Sequence, residues 1–182
     1  MPAKTAVRIL SVAIAIAGMI LPAAAQSPDA AGGKATANRL QLLEDREEIR
    51  QLLVDYGRTL DQRDFQAFAG LFSKDGEYVM GGGMGAVKGP AAISKSMEDV
   101  FRRNPTNLRE PNFHLFANET IQIRGDEATA LSKGCFVVPD EINKPVIVML
   151  ATYTDDLIRE NGRWKIKKRV VHGDIPGPPA SK

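Results

Sequence analysis

The sequence predicts an α+β domain, in which three N-terminal helices pack on a curved mixed, mostly antiparallel sheet that forms a cone with a central pocket. Two observations carry this prediction. Apolar residues recur at helical spacing in the first half of the chain, whereas beyond Pro111 alternating residues and turn signals indicate a run of strands. Such a sheet needs helices to cover one of its faces, and a cone-shaped cavity between the two layers follows.

The first predicted helix covers residues 40–61, where apolar side chains follow the helical period and charged residues fill the opposite face. Asp64 is suited to cap a short second helix that is rich in phenylalanine. Gly89 and Pro90 open the third helix, because proline is favoured at the first helical position.

Strands are predicted mainly in the second half of the chain. Residues 77–80 form a short strand, and the glycine-rich residues 81–85 are interpreted as a mobile loop. Four longer strands are predicted at residues 112–124, 127–138, 145–159 and 163–174. The pair Asn161–Gly162 between the last two is a strong hairpin signal, because both residues readily adopt positive φ.

The N-terminus has the pattern of a secretory signal peptide. Lys4 and Arg8 precede an uncharged apolar run, and small residues end the segment at Ala25, where we expect cleavage. The run is short for a membrane span, which needs about 20 residues. We therefore expect a secreted or periplasmic protein that is free of the membrane after cleavage; an uncleaved anchor is the alternative.

The predicted organisation is a signal peptide at 1–25, a flexible spacer at 26–38, one domain at 39–175 and a loose, proline-containing tail at 176–182. Cleavage removes two of the 24 basic residues and leaves 22, which equals the number of acidic residues. This balance gives no electrostatic basis for a nucleic-acid partner.

Cysteine and histidine are scarce. Cys135 is the only cysteine, so a disulfide within one chain is impossible; its apolar neighbours favour a buried thiol, and pairing between chains is the alternative. No cluster of histidine and cysteine has metal-ligand spacing, so we expect no zinc or other metal site.

Three stretches share their order and spacing with a known superfamily. They are Tyr56-(x4)-Asp61-(x2)-Asp64-Phe65-(x2)-Phe68-(x2)-Leu71-Phe72-(x2)-Asp75-Gly76, His114-(x3)-Asn118-(x2)-Ile121-(x3)-Gly125-Asp126-(x1)-Ala128 and Gly162-Arg163-Trp164-(x1)-Ile166. In these stretches the chain resembles the SnoaL-like branch of the nuclear transport factor 2-like superfamily. The resemblance implies a cone of three helices and a curved mixed sheet. Members include scytalone dehydratase, ketosteroid isomerase, polyketide cyclases, epoxide hydrolases and non-catalytic binding modules, so the fold does not decide the function.

The resemblance also implies site residues. Asp61 and His114 fall where scytalone dehydratase has an active-site aspartate and a catalytic histidine, and Tyr56 matches the oxyanion-hole tyrosine of ketosteroid isomerase. A carboxylate that holds one ring nitrogen fixes the tautomer, and the other nitrogen can then remove a proton beside a carbonyl. The second histidine of the dehydratase has no counterpart near Val138. Met80 stands where the isomerase has its general base, so steroid isomerisation by that mechanism is not expected.

Strand alternation adds expected pocket residues: Phe116, Asn118, Tyr153, Trp164 and His172. Each singled-out residue has a structural alternative. His114 could be a core histidine, Asp61 a helix cap and Tyr56 a buried tyrosine with a satisfied hydroxyl. Asn118 could tie a β-bulge, and Tyr153 and His172 could face solvent.

Alternation also places Lys165, Lys167 and Arg169 on one face of the last strand. That face is either solvated or an interface between copies of the chain. Because this superfamily often dimerises through its sheet, the resemblance implies a homo-oligomer that forms through the sheet face.

Together these features predict an exported protein that binds a small, largely apolar ligand. In one interpretation it is a cofactor-independent lyase (dehydratase) or isomerase, with His114 as general acid and base, Asp61 as its support and Tyr56 as a polarising donor. The alternative is a non-catalytic module that binds a small molecule or dimerises. As a dimerising module, the protein would have a sealed cavity and an exposed apolar sheet face.

Overall fold

The computed structural model describes residues 28–104 and 109–175. Its elements, in chain order, are α1 (Pro28–Asp61), α2 (Phe65–Gly70), β1 (Phe72–Met80), β2 (Gly85–Lys88), α3 (Pro90–Arg103), β3 (Phe113–Arg124), β4 (Glu127–Pro139), β5 (Pro145–Glu160) and β6 (Arg163–Ile175). The predicted signal peptide and tail lie outside the described residues. The sheet, α2, α3 and the part of α1 from Ala37 onward belong to one compact unit.

The six strands form one mixed sheet in the order β2-β1-β6-β5-β4-β3. Every neighbouring pair is antiparallel except β1 and β6, which are parallel. Three helices accompany this sheet, which confirms the predicted α+β fold class. Among the described residues, no helix is long and apolar enough to cross a membrane.

The elements differ from the prediction at three places. Helix α1 starts at Pro28, so the segment expected to be a flexible spacer is helical in its described part. Its side chains at residues 32–44 are exposed, so the helix has no support from side-chain packing there. Strand β1 begins earlier than predicted, at Phe72, and the glycine-rich loop leads into a hairpin strand, β2, that was not predicted.

The core lies between α1 and the inner face of the sheet, which we define as the face that carries Ala130, Ser132 and Phe136. These residues of β4 are buried and alternate with exposed or half-buried neighbours. Helix α1 contributes Tyr56, whose ring makes aromatic contacts with α2 and with three of the strands. The end of α1 is therefore held against β3, where the predicted site lies.

A β-bulge at Lys167 reverses the alternation of β6. The pairing of β5 with β6 skips this residue, so Trp164 faces inward before the bulge and Arg169 faces inward after it. The prediction that Arg169 shares a solvated face with Lys165 is therefore wrong: its side chain is 0% exposed. For the same reason His172 faces solvent rather than the side that carries Trp164.

Candidate functional site

Asp61 and His114 meet where α1 ends and β3 begins. The Nδ1 atom of His114 lies 2.6 Å from Oδ1 of Asp61, and the backbone N–H of His114 donates to Oδ2 at 2.9 Å. The side chains are 9% and 19% exposed for His114 and Asp61 respectively. His114 thus contacts both oxygens of the Asp61 carboxylate. This double contact fixes the imidazole ring relative to the carboxylate.

This contact determines which ring nitrogen of His114 is free. An ionised carboxylate only accepts hydrogen bonds, so Asp61 selects the tautomer that carries its proton on Nδ1. The lone pair of Nε2 then remains available, and Nε2 makes no hydrogen bond within the parts of the chain that the structure describes. A histidine in this state can accept a proton.

The pair lines an open groove of about 840 Å³ between the end of α1 and residues 110–114. Its walls combine apolar side chains, such as Val54 and Phe113, with the charged side chains of Arg58 and Glu110. The groove is therefore of mixed polarity and large enough for a small organic molecule.

Two aromatic rings contact the imidazole of His114. The ring of Phe136 packs against it with centroids 4.4 Å apart and planes inclined by 31°. The ring of Tyr56 meets it edge-on at 6.4 Å. The His114 ring is thus held between α1 and β4, with Asp61 at its Nδ1 side.

The hydroxyl of Tyr56 is not free to polarise a ligand in the groove. It forms a 2.7 Å hydrogen bond with the hydroxyl of Tyr78, and the whole residue is 2% exposed. Burial raises the pKa of Tyr56 well above its ordinary value, so the phenol remains neutral. The structure thus brings the ring of Tyr56, but not its hydroxyl, to His114.

Deeper in the fold lies a buried ion pair that the sequence reasoning missed. Arg169 donates from Nε and Nη2 to the two carboxylate oxygens of Asp155, at 2.6 and 2.8 Å, and both side chains are 0% exposed. The guanidinium lies 4.0 Å from the ring centroid of Tyr56 and 5.2 Å from that of Tyr153. Burial alone would lower the pKa of Arg169, but Asp155 outweighs it and the pKa is raised. Strand alternation gave no signal for this ion pair, because the bulge at Lys167 reverses the alternation of β6 before Arg169.

The remaining predicted pocket residues separate into buried and exposed groups. Phe116 and Tyr153 pack on each other with ring centroids 4.9 Å apart, and Tyr153 is buried. Trp164 is also buried; its Nε1 donates to Asp45 at 3.3 Å and the guanidinium of Arg159 covers its ring. These three aromatic residues belong to the core beneath α1 rather than to the groove.

Asn118 and His172 are exposed, which corrects their expected place in the pocket. Asn118 has φ of 56° at a bulge where β3 and β4 shift register, so the bulge interpretation describes it. The side chain of His172 is 68% exposed and lies 3.9 Å from Asp174.

Asn112 is a site residue that the sequence reasoning did not name. Its Nδ2 donates to Oδ1 of Asp61 at 2.7 Å, and its Oδ1 accepts from Nη2 of Arg63 at 2.5 Å. Asn112 is 5% exposed. The available signal was its position two residues before His114, which places both side chains on one face of an extended segment.

No set of three or more histidine, cysteine, aspartate or glutamate residues could hold a metal ion within residues 28–104 and 109–175. The hydrogen bond between His114 and Asp61 equips this arrangement for proton transfer at Nε2 of His114.

A family model described as the SnoaL-like domain matches residues 41–170. The chain belongs to the SnoaL-like domain family. A relative of this SnoaL-like chain is an uncharacterized protein of Mycobacterium tuberculosis, 30% identical over 131 residues that cover 70% of the chain and 84% of the relative.

Solved structures show the same fold. A nuclear transport factor 2-like protein with a cystatin-like fold from Novosphingobium aromaticivorans is 28% identical, with a TM-score of 0.69 over 80% of this SnoaL-like chain and 90% of that protein. A type 2 hexachlorocyclohexane dehydrochlorinase is 22% identical, with a TM-score of 0.62 over 75% of this chain and 89% of that one, a similarity of fold alone. The resemblance inferred from the sequence is thereby confirmed.

Proposed function

We propose that this SnoaL-like protein is a cofactor-independent lyase (dehydratase) or isomerase that acts on a small ligand bound in the groove beside His114. The 2.6 Å contact between Nδ1 of His114 and Asp61, at the wall of an open groove, carries this proposal. In this role, Nε2 of His114 removes a proton from a carbon next to a carbonyl or a similar electron-withdrawing group.

The two reactions share their first step and differ in the second. Removal of the proton leaves the electron pair on the ligand as an enolate, and the carboxylate of Asp61 stabilises the imidazolium that forms. An isomerase returns the proton to another carbon, whereas a dehydratase gives it to a departing hydroxyl group as a carbon–carbon double bond forms. Neither route changes the overall oxidation level of the ligand, so neither needs a redox cofactor.

The fold supports an elimination or isomerisation as the reaction class, but it does not identify the substrate. One solved structure of the same fold bears the name of a dehydrochlorinase, and a dehydrochlorinase catalyses an elimination. The groove of the present chain has both apolar and charged walls, which favours a ligand with an apolar body and one or two polar groups.

Proton exchange tests this function without knowledge of the natural substrate. A panel of small ketones, enones and hydroxy ketones is incubated with the protein in D₂O, and loss of the proton beside the carbonyl is followed by NMR. General-base catalysis contributes about 10²–10⁴-fold, so we expect H114Q to lose at least about 100-fold in exchange rate and D61N to lose a smaller factor. The exposed variant H172Q is the matched control and should exchange at the wild-type rate. Equal rates for H114Q and the wild type would overturn the proposal.

The second candidate function is a dimerising module. The exposed apolar sheet face expected of such a module is present as a stripe on the outer face of the sheet, whereas the cavity expected to be sealed is an open groove. Leu115, Cys135, Leu150 and Ile175 form this stripe across four strands, each paired with the next. Leu115 is 56% and Ile175 62% exposed, whereas the inner face beneath α1 is covered by buried aromatic residues. We propose a second copy of the chain as the occupant, because a stripe that runs across the sheet can face itself about a twofold axis.

Sedimentation measurements test this second proposal. We expect a dimer for the wild type and a monomer for L115R, because a charge within the stripe would be buried at the interface without a partner. The control is I142R, since Ile142 is 69% exposed in the turn between β4 and β5 and lies off the stripe. A monomeric wild type at micromolar concentration would rule the interface out.

We also propose that the protein is exported, on the basis of its N-terminal sequence. Cleavage after Ala25 would leave Gln26 as the first residue. N-terminal sequencing of the protein recovered from the periplasm or the medium is expected to begin at Gln26; recovery of the intact chain from the cytosol alone would contradict export.

A further inference from the structure

We infer that Asn112 and Arg63 are positioning residues, which hold the carboxylate of Asp61 so that it selects one tautomer of His114. The inference rests on the proposed function of His114 as a base. Asn112 contacts the carboxylate of Asp61 directly, and Arg63 acts on that carboxylate through Asn112.

The orientation of the Asn112 amide follows from its two partners. The guanidinium of Arg63 only donates hydrogen bonds, so the atom of Asn112 that it contacts at 2.5 Å must be the carbonyl oxygen. The NH₂ group then faces Asp61 and donates to Oδ1 at 2.7 Å. Arg63 therefore determines which end of Asn112 meets the carboxylate.

Arg63 is itself held from three sides. Its Nη1 donates to the backbone carbonyl of Leu60 at 2.9 Å, and its Nη2 also contacts Glu110 at 2.8 Å. Its guanidinium lies 4.1 Å from the ring centroid of Phe101 on α3. The backbone of Arg63 has φ of 60°, an uncommon conformation for a residue other than glycine, asparagine or aspartate. The side-chain contacts offset the strain of that turn and fix the position of the guanidinium.

The carboxylate of Asp61 receives three hydrogen bonds in this arrangement. Oδ1 faces Nδ1 of His114 and Nδ2 of Asn112, while Oδ2 accepts from the backbone N–H of His114. A carboxylate with fewer donors can rotate about its last torsion angle, which is broad. Asn112 removes this freedom, so Oδ1 stays opposite Nδ1 and Nε2 stays without a proton.

NMR of the imidazole nitrogens tests this role directly. The chain has two histidines, and the exposed His172 serves as a reference within each sample. We expect neutral His114 to be almost entirely the Nδ1–H tautomer in the wild type. Loss of a hydrogen bond to a charged group shifts an equilibrium by about tenfold or more, so N112A and R63M should each lower the ratio of Nδ1–H to Nε2–H by about that factor.

The matched controls separate positioning from folding. R58M removes an arginine that lines the same groove but pairs with Asp55 rather than with the Asn112 network, and it should leave the tautomer ratio unchanged. N112L preserves the size of the side chain but removes both the donor to Asp61 and the acceptor for Arg63, so it should behave like N112A. Circular dichroism and the His172 signals report whether each variant is folded.

The outcomes distinguish this inference from the proposed function. An unchanged tautomer ratio in folded N112L and R63M would overturn the positioning role. The NMR measurement needs no substrate, so a locked tautomer in the wild type that shifts in these variants supports positioning even if H114Q retains proton exchange. In that case the proposed function fails and the positioning role stands.

Discussion

Gly57 on α1 faces His114 on β3 at close range. A Cβ atom placed at Gly57 would lie 3.0 Å from the Cβ of His114 and 3.2 Å from Cε2 of Phe116. A glycine inside a helix costs about 1 kcal/mol relative to alanine, so its presence here is explained by the close approach of α1 to β3. This approach brings Asp61, one helical turn further along, within hydrogen-bond distance of His114.

The first prediction concerns this contact. We expect G57A to lower the free energy of unfolding by about 1 kcal/mol, because the strain of overpacking at about 1–3 kcal/mol exceeds the gain in helix propensity. G57V should lower the free energy of unfolding further, because the valine side chain is larger. The control is G70A, since a Cβ at Gly70 on the end of α2 would meet no atom within 4 Å. Urea denaturation measures all three, and a G57A protein more stable than the wild type would contradict the packing argument.

The second prediction concerns the buried ion pair. R169M leaves the carboxylate of Asp155 buried without its partner, and such a change costs about 3–5 kcal/mol. The double variant D155L/R169M removes both charges and should recover most of that loss, because a buried ion pair is often replaceable by apolar side chains. A denaturant double-mutant cycle measures the coupling. If R169M loses less than about 1 kcal/mol, water must reach Asp155 and the pair is not sealed.

The third prediction concerns the behaviour of the protein in alkali. The three tyrosines of the chain, Tyr56, Tyr78 and Tyr153, are all buried, and burial raises the pKa of each, that of Tyr78 to about 12. The folded state therefore retains phenol protons that the unfolded chain loses near pH 10. The stabilisation that these protonated tyrosines give the folded state is fully present below about pH 10. It is lost as the pH rises towards 12.

Ultraviolet absorbance of tyrosinate tests this behaviour. We expect little tyrosinate in the native protein near pH 10, where a urea-unfolded sample is about half ionised. At higher pH the absorbance should rise together with the loss of circular dichroism. Ionisation near pH 10 with an unchanged circular dichroism spectrum would show that at least one tyrosine is accessible to water.

The fourth prediction concerns acid. Burial alone would raise the pKa of Asp45, but hydrogen bonds from Arg159, Gln41 and Trp164 outweigh it and lower the pKa below 3.8. The contribution of Asp45 to stability is thus present above about pH 3.8 and is lost as the pH falls through the lower value of the folded state. We expect D45N to be less stable at neutral pH by about 2 kcal/mol, and to lose less additional stability below pH 4 than the wild type.

The exposed partner of Arg159 provides the control for that experiment. Asp126 also pairs with Arg159 but is 78% exposed, so D126N should change the stability little. Equal acid sensitivity of D45N and the wild type would mean that other carboxylates account for acid unfolding.

The placement of Asp61 and His114 was accessible from the sequence, because the end of an amphipathic helix and the start of an alternating strand are both local patterns. The same alternation correctly placed Phe116 on the face of His114. Local patterns of this kind determine which face of an element is buried. The resemblance to a known fold then predicted that the end of α1 and the start of β3 lie against each other.

Two features of the structure could not be predicted from the sequence, and the reason is physical. A count of alternate residues along β6 assumes regular pairing, so it fails beyond the extra residue Lys167 and misplaces both Arg169 and His172. The role of Asn112 depends on Arg63, which is 49 residues away in the chain. No local pattern reports a hydrogen bond between a turn and a distant strand, so this part of the site emerged only from the three-dimensional arrangement.

The bulge at Lys167 makes the interior of this scaffold tolerant of one change in length. Loss of the single codon for Lys167 would remove the extra residue and leave regular alternation, in which Arg169 still pairs with Asp155 and faces inward while His172 faces outward. One in-frame deletion at this position would therefore preserve the buried guanidinium. Lineages that share this sheet can thus differ by one residue of length in the last strand and keep the same interior.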